Sequence, residues 1–207
     1  MLALYNIIDN DNNKTDSIDE VYFEWWLQEL KDNGFIKSYH RAKSLTISDN
    51  IEALYFVKNK KGSSITKKNV LQPIVYTPDY VIIWNEKANG IFFLDLHGAS
   101  SIDKEKDKPQ SYFKIWAQKF NDVFVSIIDV KPSVNQKFVK FTSSHTFVVK
   151  QALLYKTLCI FVDKIKVISL MKSTFTPDRY LRSDKNATVR KLKFTPKSLQ
   201  NYLSEWY

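Results

Sequence analysis

An α/β fold, with a mixed β-sheet flanked by helices, follows from three patterns in the 207-residue sequence. Ser17, followed three positions later by Glu20, opens a stretch of helical periodicity. The segment from Ile36 to Trp84 breaks into short β-rich runs. From Val123 onward an apolar run, a helical run and a second apolar run follow one another, an order that implies a right-handed crossover between parallel strands.

Ser17 and Glu20 form a capping-box signature, and Tyr22, Trp26 and Leu30 share a helix face with Phe23 and Leu27. A helix is expected over Ile18–Asp32, with Gly34 just past its end. Ser44–Ser48, Ala53–Lys58 and Val75–Trp84 read as strands, and Asn59–Lys68 as a polar, lysine-rich connection. Asn85 to Gly90 reads as a hairpin turn joining Tyr80–Trp84 to Ile91–Leu96. Pro109 suits the first position of a second helix reaching Phe120, with Phe113, Trp116, Ala117 and Phe120 on one face. Val123–Val130 has the near-continuous apolar character of a strand buried on both faces. Thr146–Tyr155 then reads as a helix and Leu158–Val162 as another buried strand.

Hydrophobic residues at 44% and aromatics at 14% supply a core, and only four glycines and six prolines argue against a disordered or fibrous chain. The length suits one domain: a polar lead-in over 1–17, a core over 18–171 and a basic, aromatic segment over 172–207. The single cysteine, Cys159, lies in an apolar run and reads as a buried small hydrophobe, so neither a disulfide framework nor a Cys/His zinc site is expected. The N-terminal stretch lacks the basic region of a secretory signal, and no apolar run is long enough to span a bilayer. A soluble protein of a reducing compartment, the cytoplasm, is expected. The formal charge of +9 favours a polyanionic partner, and from Lys172 to Tyr207 eight Lys/Arg stand against three acids. Arg179, Arg182, Lys185, Arg190, Lys191 and Lys193 are the candidate phosphate contacts there, interleaved with aromatics able either to stack on bases or to pack the segment onto the core.

Two short motifs carry chemistry. Tyr76-Thr77-Pro78-Asp79-Tyr80 places an aspartate at the start of an apolar strand, and Asp129-Val130-Lys131 ends another. Residues two apart on a strand share a face, so Asp129 and Lys131 project together. Two carboxylates suit a hard divalent cation, Mg²⁺ or Mn²⁺, while a lysine beside them steadies negative charge that develops on a phosphate or an attacking water.

Pro78-Asp79 and Asp129-Val130-Lys131, in this order, resemble the PD-(D/E)xK nuclease superfamily, and most closely its small phage-encoded endonucleases. The resemblance spans about 18–167 and implies a restriction-endonuclease-like core with a basic C-terminal appendage. It implies Asp79 and Asp129 as metal ligands, Lys131 as the residue stabilising the nucleophile or transition state, and Glu24 on the upstream helix as a further acid, with Glu20 one turn earlier as the alternative. Gln151-Ala152-Leu153-Leu154-Tyr155 matches a Q-x-x-x-Y pattern of one exonuclease subset and implies an assisting role for Gln151. The expected activity is metal-dependent hydrolysis of phosphodiester bonds in DNA, with RNA compatible with the same chemistry, and a homodimer where both strands are cut. A phage-encoded enzyme would work in the host cytoplasm. The alternative is a noncatalytic nucleic-acid-binding accessory protein that keeps the fold. Fifty positions separate Asp79 from Asp129, which makes 96–122 an insertion, and Asp95-Leu96-His97-Gly98 is a competing site. Asp129 and Lys131 are preferred because a lysine is present and a helix follows.

Overall fold

The computed structural model describes residues 6–9, 17–60, 62–98, 115–131, 143–183 and 194–206. Helix α1 (Ile18–Asp32) starts as its capping box dictates: Ser17 Oγ accepts the Glu20 N–H at 3.2 Å and donates to the Glu20 carboxylate at 3.0 Å. It is capped by Asn33 and followed by Gly34, whose φ of +72° is the left-handed conformation that glycine adopts without steric cost. Tyr22, Phe23, Trp26, Leu27 and Leu30 are buried against the sheet.

The remaining elements are β1 (Ile8–Asp9), β2 (Ile36–Ala42), β3 (Leu45–Ser48), β4 (Ile51–Asn59), β5 (Gly62–Leu71), β6 (Ile74–Tyr76), β7 (Tyr80–Trp84), β8 (Phe93–Asp95), β9 (Ile115–Phe120), β10 (Val123–Lys131), α2 (Ser143–Leu158), β11 (Val162–Lys166), α3 (Val167–Ser173), α4 (Asp178–Ser183) and α5 (Leu199–Leu203). Among the described residues seven strands form a mixed, open sheet in the order β1-β2-β7-β10-β9-β8, and β11 also pairs with β10. The β2–β7 and β7–β10 pairs are antiparallel. After α2 the chain returns in β11, parallel to β10. Strand β10 divides one edge between two partners: Val123–Val125 pair with β9 and Ile127–Lys131 with β11. Its near-continuous apolar character fits this central place. Ile128 and Val130 face the core beneath α1 with Tyr80 and Ile82, whereas Val125 and Ile127 face the layer containing Phe147 and Leu154 of α2. No helix among the described residues is long and apolar enough to cross a membrane.

Several expectations are corrected. Ile115–Phe120, placed in a helix beginning at Pro109, is strand β9, while 109–114 lie outside the described residues. Asn121 and Asp122 both take positive φ (48° and 64°), as the two central residues of a type I′ hairpin turn do, and this tight turn pairs β9 with β10. Tyr80–Trp84 does not form a hairpin with Ile91–Leu96. Glu86–Ala88 form a 3₁₀ turn, after which buried Ile91, Phe92 and Phe93 carry the chain to β8, parallel to β9. Asn59–Lys68 is not a plain connection, because Gly62–Leu71 is β5, exposed along its whole length and so without a burial pattern to read. Helix α2 runs to Leu158 and is followed by exposed Cys159 at a φ of +55°, which ends the helix, delays β11 to Val162 and overturns the buried reading of this cysteine.

Of the two readings of the C-terminal aromatics, packing onto the core is the one the described residues adopt. Phe175, Tyr180, Leu199 and Tyr202 are buried in the same core as Trp26 and Phe92. The Trp26 indole N–H donates to Thr174 Oγ1 at 3.2 Å, and the Tyr202 hydroxyl donates to the Ile91 carbonyl at 3.0 Å. The boundary drawn at residue 171 falls inside α3.

Candidate active site

Strand pairing decides where the two motifs meet. Ile128 lies opposite Tyr80 in the antiparallel β7–β10 pair, and the Asp79 N–H donates to the Ile128 carbonyl at 2.8 Å. Asp79 and Asp129 therefore leave neighbouring strand ends side by side, although fifty positions separate them in sequence. Asp79 Oδ2 accepts the Val130 N–H at 2.5 Å, which fixes its carboxyl against β10.

Asp129 is buried and held at both oxygens. Lys131 Nζ donates to Oδ1 at 2.6 Å, as the shared strand face predicts, and the Tyr76 hydroxyl donates to Oδ2 at 2.7 Å. Burial raises the Tyr76 hydroxyl pKa, and the Asp129 carboxylate raises it further, so tyrosine serves here as a neutral donor. Lys164 lies opposite Asp129 in the parallel β10–β11 register, with its ammonium over the Phe147 ring at 5.2 Å.

Asp79 is the electrostatically perturbed member. Burial pushes its carboxyl from an ordinary 3.8 up to about 7; the Val130 hydrogen bond works against this, Asp129 and then Glu20 add to it, and Lys131 opposes it. Such a desolvated, oxygen-only pair of carboxylates is a fitting donor set for a hard divalent cation, and Mg²⁺ characteristically takes one or two carboxylates and keeps water on its other positions. Among the described residues no group of three or more His, Cys, Asp or Glu side chains is arranged around one ion position.

Glu24 is not brought to the aspartates. Its Oε1 accepts from the Tyr80 hydroxyl at 2.9 Å and from Arg41 at 3.3 Å, beside a cavity of about 230 Å³ lined also by Tyr39 and His40. Glu20, one turn earlier, is the helix acid whose charge acts on Asp79. It is buried and bound to Arg41 at 2.7 Å. The Arg41 guanidinium lies 4.3 Å from the Tyr80 ring centre. Burial alone would lower its pKa, and the Glu20 hydrogen bond leads the contributions that raise it instead. Burial and Lys31 lower the pKa of His40.

Gln151 donates to the Val162 carbonyl at 2.5 Å, level with Ile127 rather than Asp129, and lines a groove with His97 and Tyr155. Asp95 and His97 lie at and beyond the end of β8, which β9 and β10 separate from β7. The structure thus sets Asp129 and Lys131 beside Asp79. Asp95 Oδ1 accepts the His97 N–H at 3.0 Å, and a Cβ on Gly98 would meet Asp95 Cβ at 2.8 Å, so this tight turn requires glycine. Of the basic candidates, Arg179 packs over Trp25 beside a cavity of about 640 Å³ between α1 and α4–α5, and Arg182 pairs with Asp178. Lys185, Arg190, Lys191 and Lys193 lie outside the described residues.

Tyr76, Arg41 and Lys164 were not among the sequence candidates. Tyr76 stands three residues before Asp79, but its role depends on β6 ending beside Asp129. Arg41 and Lys164 enter through strand register alone. Comparison with protein-family models, curated proteins and solved structures returns no match for this chain.

Proposed function

We propose that this protein is a metal-dependent nuclease of the PD-(D/E)xK type, hydrolysing phosphodiester bonds in DNA. The observation that carries the reading is the juxtaposition of Asp79 and Asp129 on hydrogen-bonded strand ends, with Lys131 on Asp129. The succession of α1, antiparallel β2, β7 and β10, then α2 and parallel β11 supports a restriction-endonuclease-like core. In this reading 96–122, with β9 as its described strand, is the insertion.

Asp79 and Asp129 would hold Mg²⁺ or Mn²⁺, and Glu20, rather than Glu24, is the helix acid whose charge reaches Asp79. Bound there, the ion supplies Lewis-acid polarisation of the phosphate and acidifies a water. Tyr76 and Lys131 orient the Asp129 carboxylate, Tyr76 from a β6 strand that β3 fixes in place. Lys131, partly exposed, can also meet the negative charge that grows on the phosphate oxygens. Asp79, with its carboxyl near 7, must give up its proton to become a ligand, so metal binding strengthens as pH rises through that value. Arg179 and Arg182, exposed on α4, are available for backbone phosphates away from the carboxylates.

The test incubates the purified protein with duplex, single-stranded and branched DNA and with RNA, with and without Mg²⁺ or Mn²⁺. Metal-dependent cutting is expected, and loss of at least about 100-fold in Asp79→Ala and Lys131→Ala with nucleic-acid binding retained. Independently of activity, Mg²⁺ should raise the melting temperature of the wild type and not that of Asp79→Ala. Binding without cutting of any substrate would overturn the reading in favour of a noncatalytic accessory protein.

A further inference from the structure

Strands β4 and β5 form a long antiparallel ribbon whose strands pair only with each other among the described residues. Opposed residues share a face, so Leu54 with Lys67, Phe56 with Ile65 and Lys58 with Ser63 form one side. Ala53 with Lys68, Tyr55 with Thr66 and Val57 with Ser64 form the other. On the first side Phe56 is 78% exposed, Leu54 67% and Ile65 63%. An uncovered two-stranded ribbon is marginal in water, and contiguous exposed apolar side chains of this size mark a surface that meets a partner.

The charge of the ribbon selects the kind of partner. Its described residues include Lys58, Lys60, Lys67 and Lys68 against one acid, Glu52, which is already paired with Lys67 at 3.2 Å. A second copy would bring lysines against lysines, whereas a polyanion complements them. The ribbon's shape narrows the choice further, because the major groove of a duplex admits a two-stranded β-ribbon, with lysines at the walls and apolar side chains against the bases.

The position of the ribbon gives this surface a use. It projects from the β3–β6 pair, and β6 begins three residues after β5 and ends at Tyr76, the residue hydrogen-bonded to Asp129. The base of the ribbon, at Ile51 and Leu71, thus adjoins the strand pair that borders the Asp79–Asp129 site, while Phe56, Ile65 and Lys58 lie toward its tip. We infer that the β4–β5 ribbon is a duplex-DNA-binding arm, with Leu54, Phe56 and Ile65 entering a groove and Lys58 and Lys67, on the same side, contacting phosphates. The choice of DNA rests on the nuclease reading, while the need for a polyanionic partner rests on the ribbon itself.

The experiment measures fluorescence anisotropy of a labelled mixed-sequence duplex of about 30 base pairs with the full-length protein in EDTA, over a series of KCl concentrations. Relative to wild type, Lys58→Gln/Lys67→Gln is expected to bind at least about 5-fold more weakly at moderate salt, with the slope of log K against log salt reduced by about 2. Phe56→Ser/Ile65→Thr should weaken binding several-fold and leave that slope unchanged. Every substituted side chain is exposed, so both variants should keep the wild-type circular dichroism and melting temperature. The arm is overturned if both folded variants bind the duplex like wild type, if the wild type binds no duplex, or if Phe56→Ser/Ile65→Thr only converts a dimer to a monomer in sedimentation. Metal-dependent cutting with ribbon variants that bind normally would sink the arm and leave the nuclease reading intact. Duplex binding weakened by the ribbon variants, in a protein that cuts nothing, would do the reverse.

Discussion

Asp79 concentrates the electrostatics of the candidate site in one proton. Its carboxyl lies near 7 in the folded chain against 3.8 ordinarily, so the folded state binds the proton more tightly than the unfolded chain. Below about pH 4 both states are protonated and the full contribution to stability is present; it is lost as pH rises through about 7. Asp79→Asn keeps an oxygen for the Val130 N–H and removes the titration. In EDTA, the wild type should lose stability between about pH 5 and 8 while Asp79→Asn loses less, a difference on the order of 2–4 kcal/mol at the upper end. Urea denaturation across that range measures it, and parallel pH profiles for the two proteins would contradict the assignment. Asp79, Asp129 and Lys131 are legible as a candidate set because a carboxylate at a strand entry and Asp-x-Lys at a strand exit follow from local pattern. Tyr76 is not, because one hydroxyl on a short strand becomes a partner of Asp129 only through a contact 53 positions away.

At the level of elements, legibility followed burial. Helix α1 was read to its ends, since Ser17, Glu20, the apolar face and Gly34 all agree. Strand β10 was read because both of its faces are covered. Strand β9 is ambiguous in sequence, because Trp116, Ala117 and Phe120 also fit helical spacing, and only the Asn121–Asp122 turn, acting with β10, selects the strand. Strand β5 leaves no mark in the sequence, because an exposed ribbon needs no alternation of apolar and polar residues. A ribbon that pairs within itself should also be dispensable to the core. Replacing residues 50–72 by a short Gly-Ser linker is expected to leave the melting temperature within about 3 °C of wild type, a shift worth less than about 1 kcal/mol. Loss of cooperative melting in that variant would show that the ribbon supports the fold.

Across the whole molecule, the segments before and after α3 pack into one core. Trp26 of α1 stacks on Phe175, Phe92 packs against Tyr202, and Tyr22 meets Tyr180 edge-on, so the first helix and the C-terminal segment share one aromatic core. Removing everything after residue 171 strips that core of Phe175, Tyr180, Leu199 and Tyr202, each large apolar side chain being worth about 2–5 kcal/mol. The truncated chain is expected to lack a cooperative thermal transition and to bind hydrophobic dye. A sharp transition near that of the full chain would restore the separate appendage.

Composition and local pattern by themselves determined the α/β class, α1, the strand character of β7 and β10, and the three residues that carry the proposed chemistry. These depend on hydrophobic periodicity and short-range capping, which act within a few residues. Tertiary structure alone decided which strands are neighbours, that Asp79 meets Asp129 across fifty positions, that Glu20 rather than Glu24 acts on Asp79, and that the C-terminal aromatics close the core instead of extending from it. Each of these is a pairing between distant segments. Register and burial select it over the whole chain, and no single segment encodes its partner.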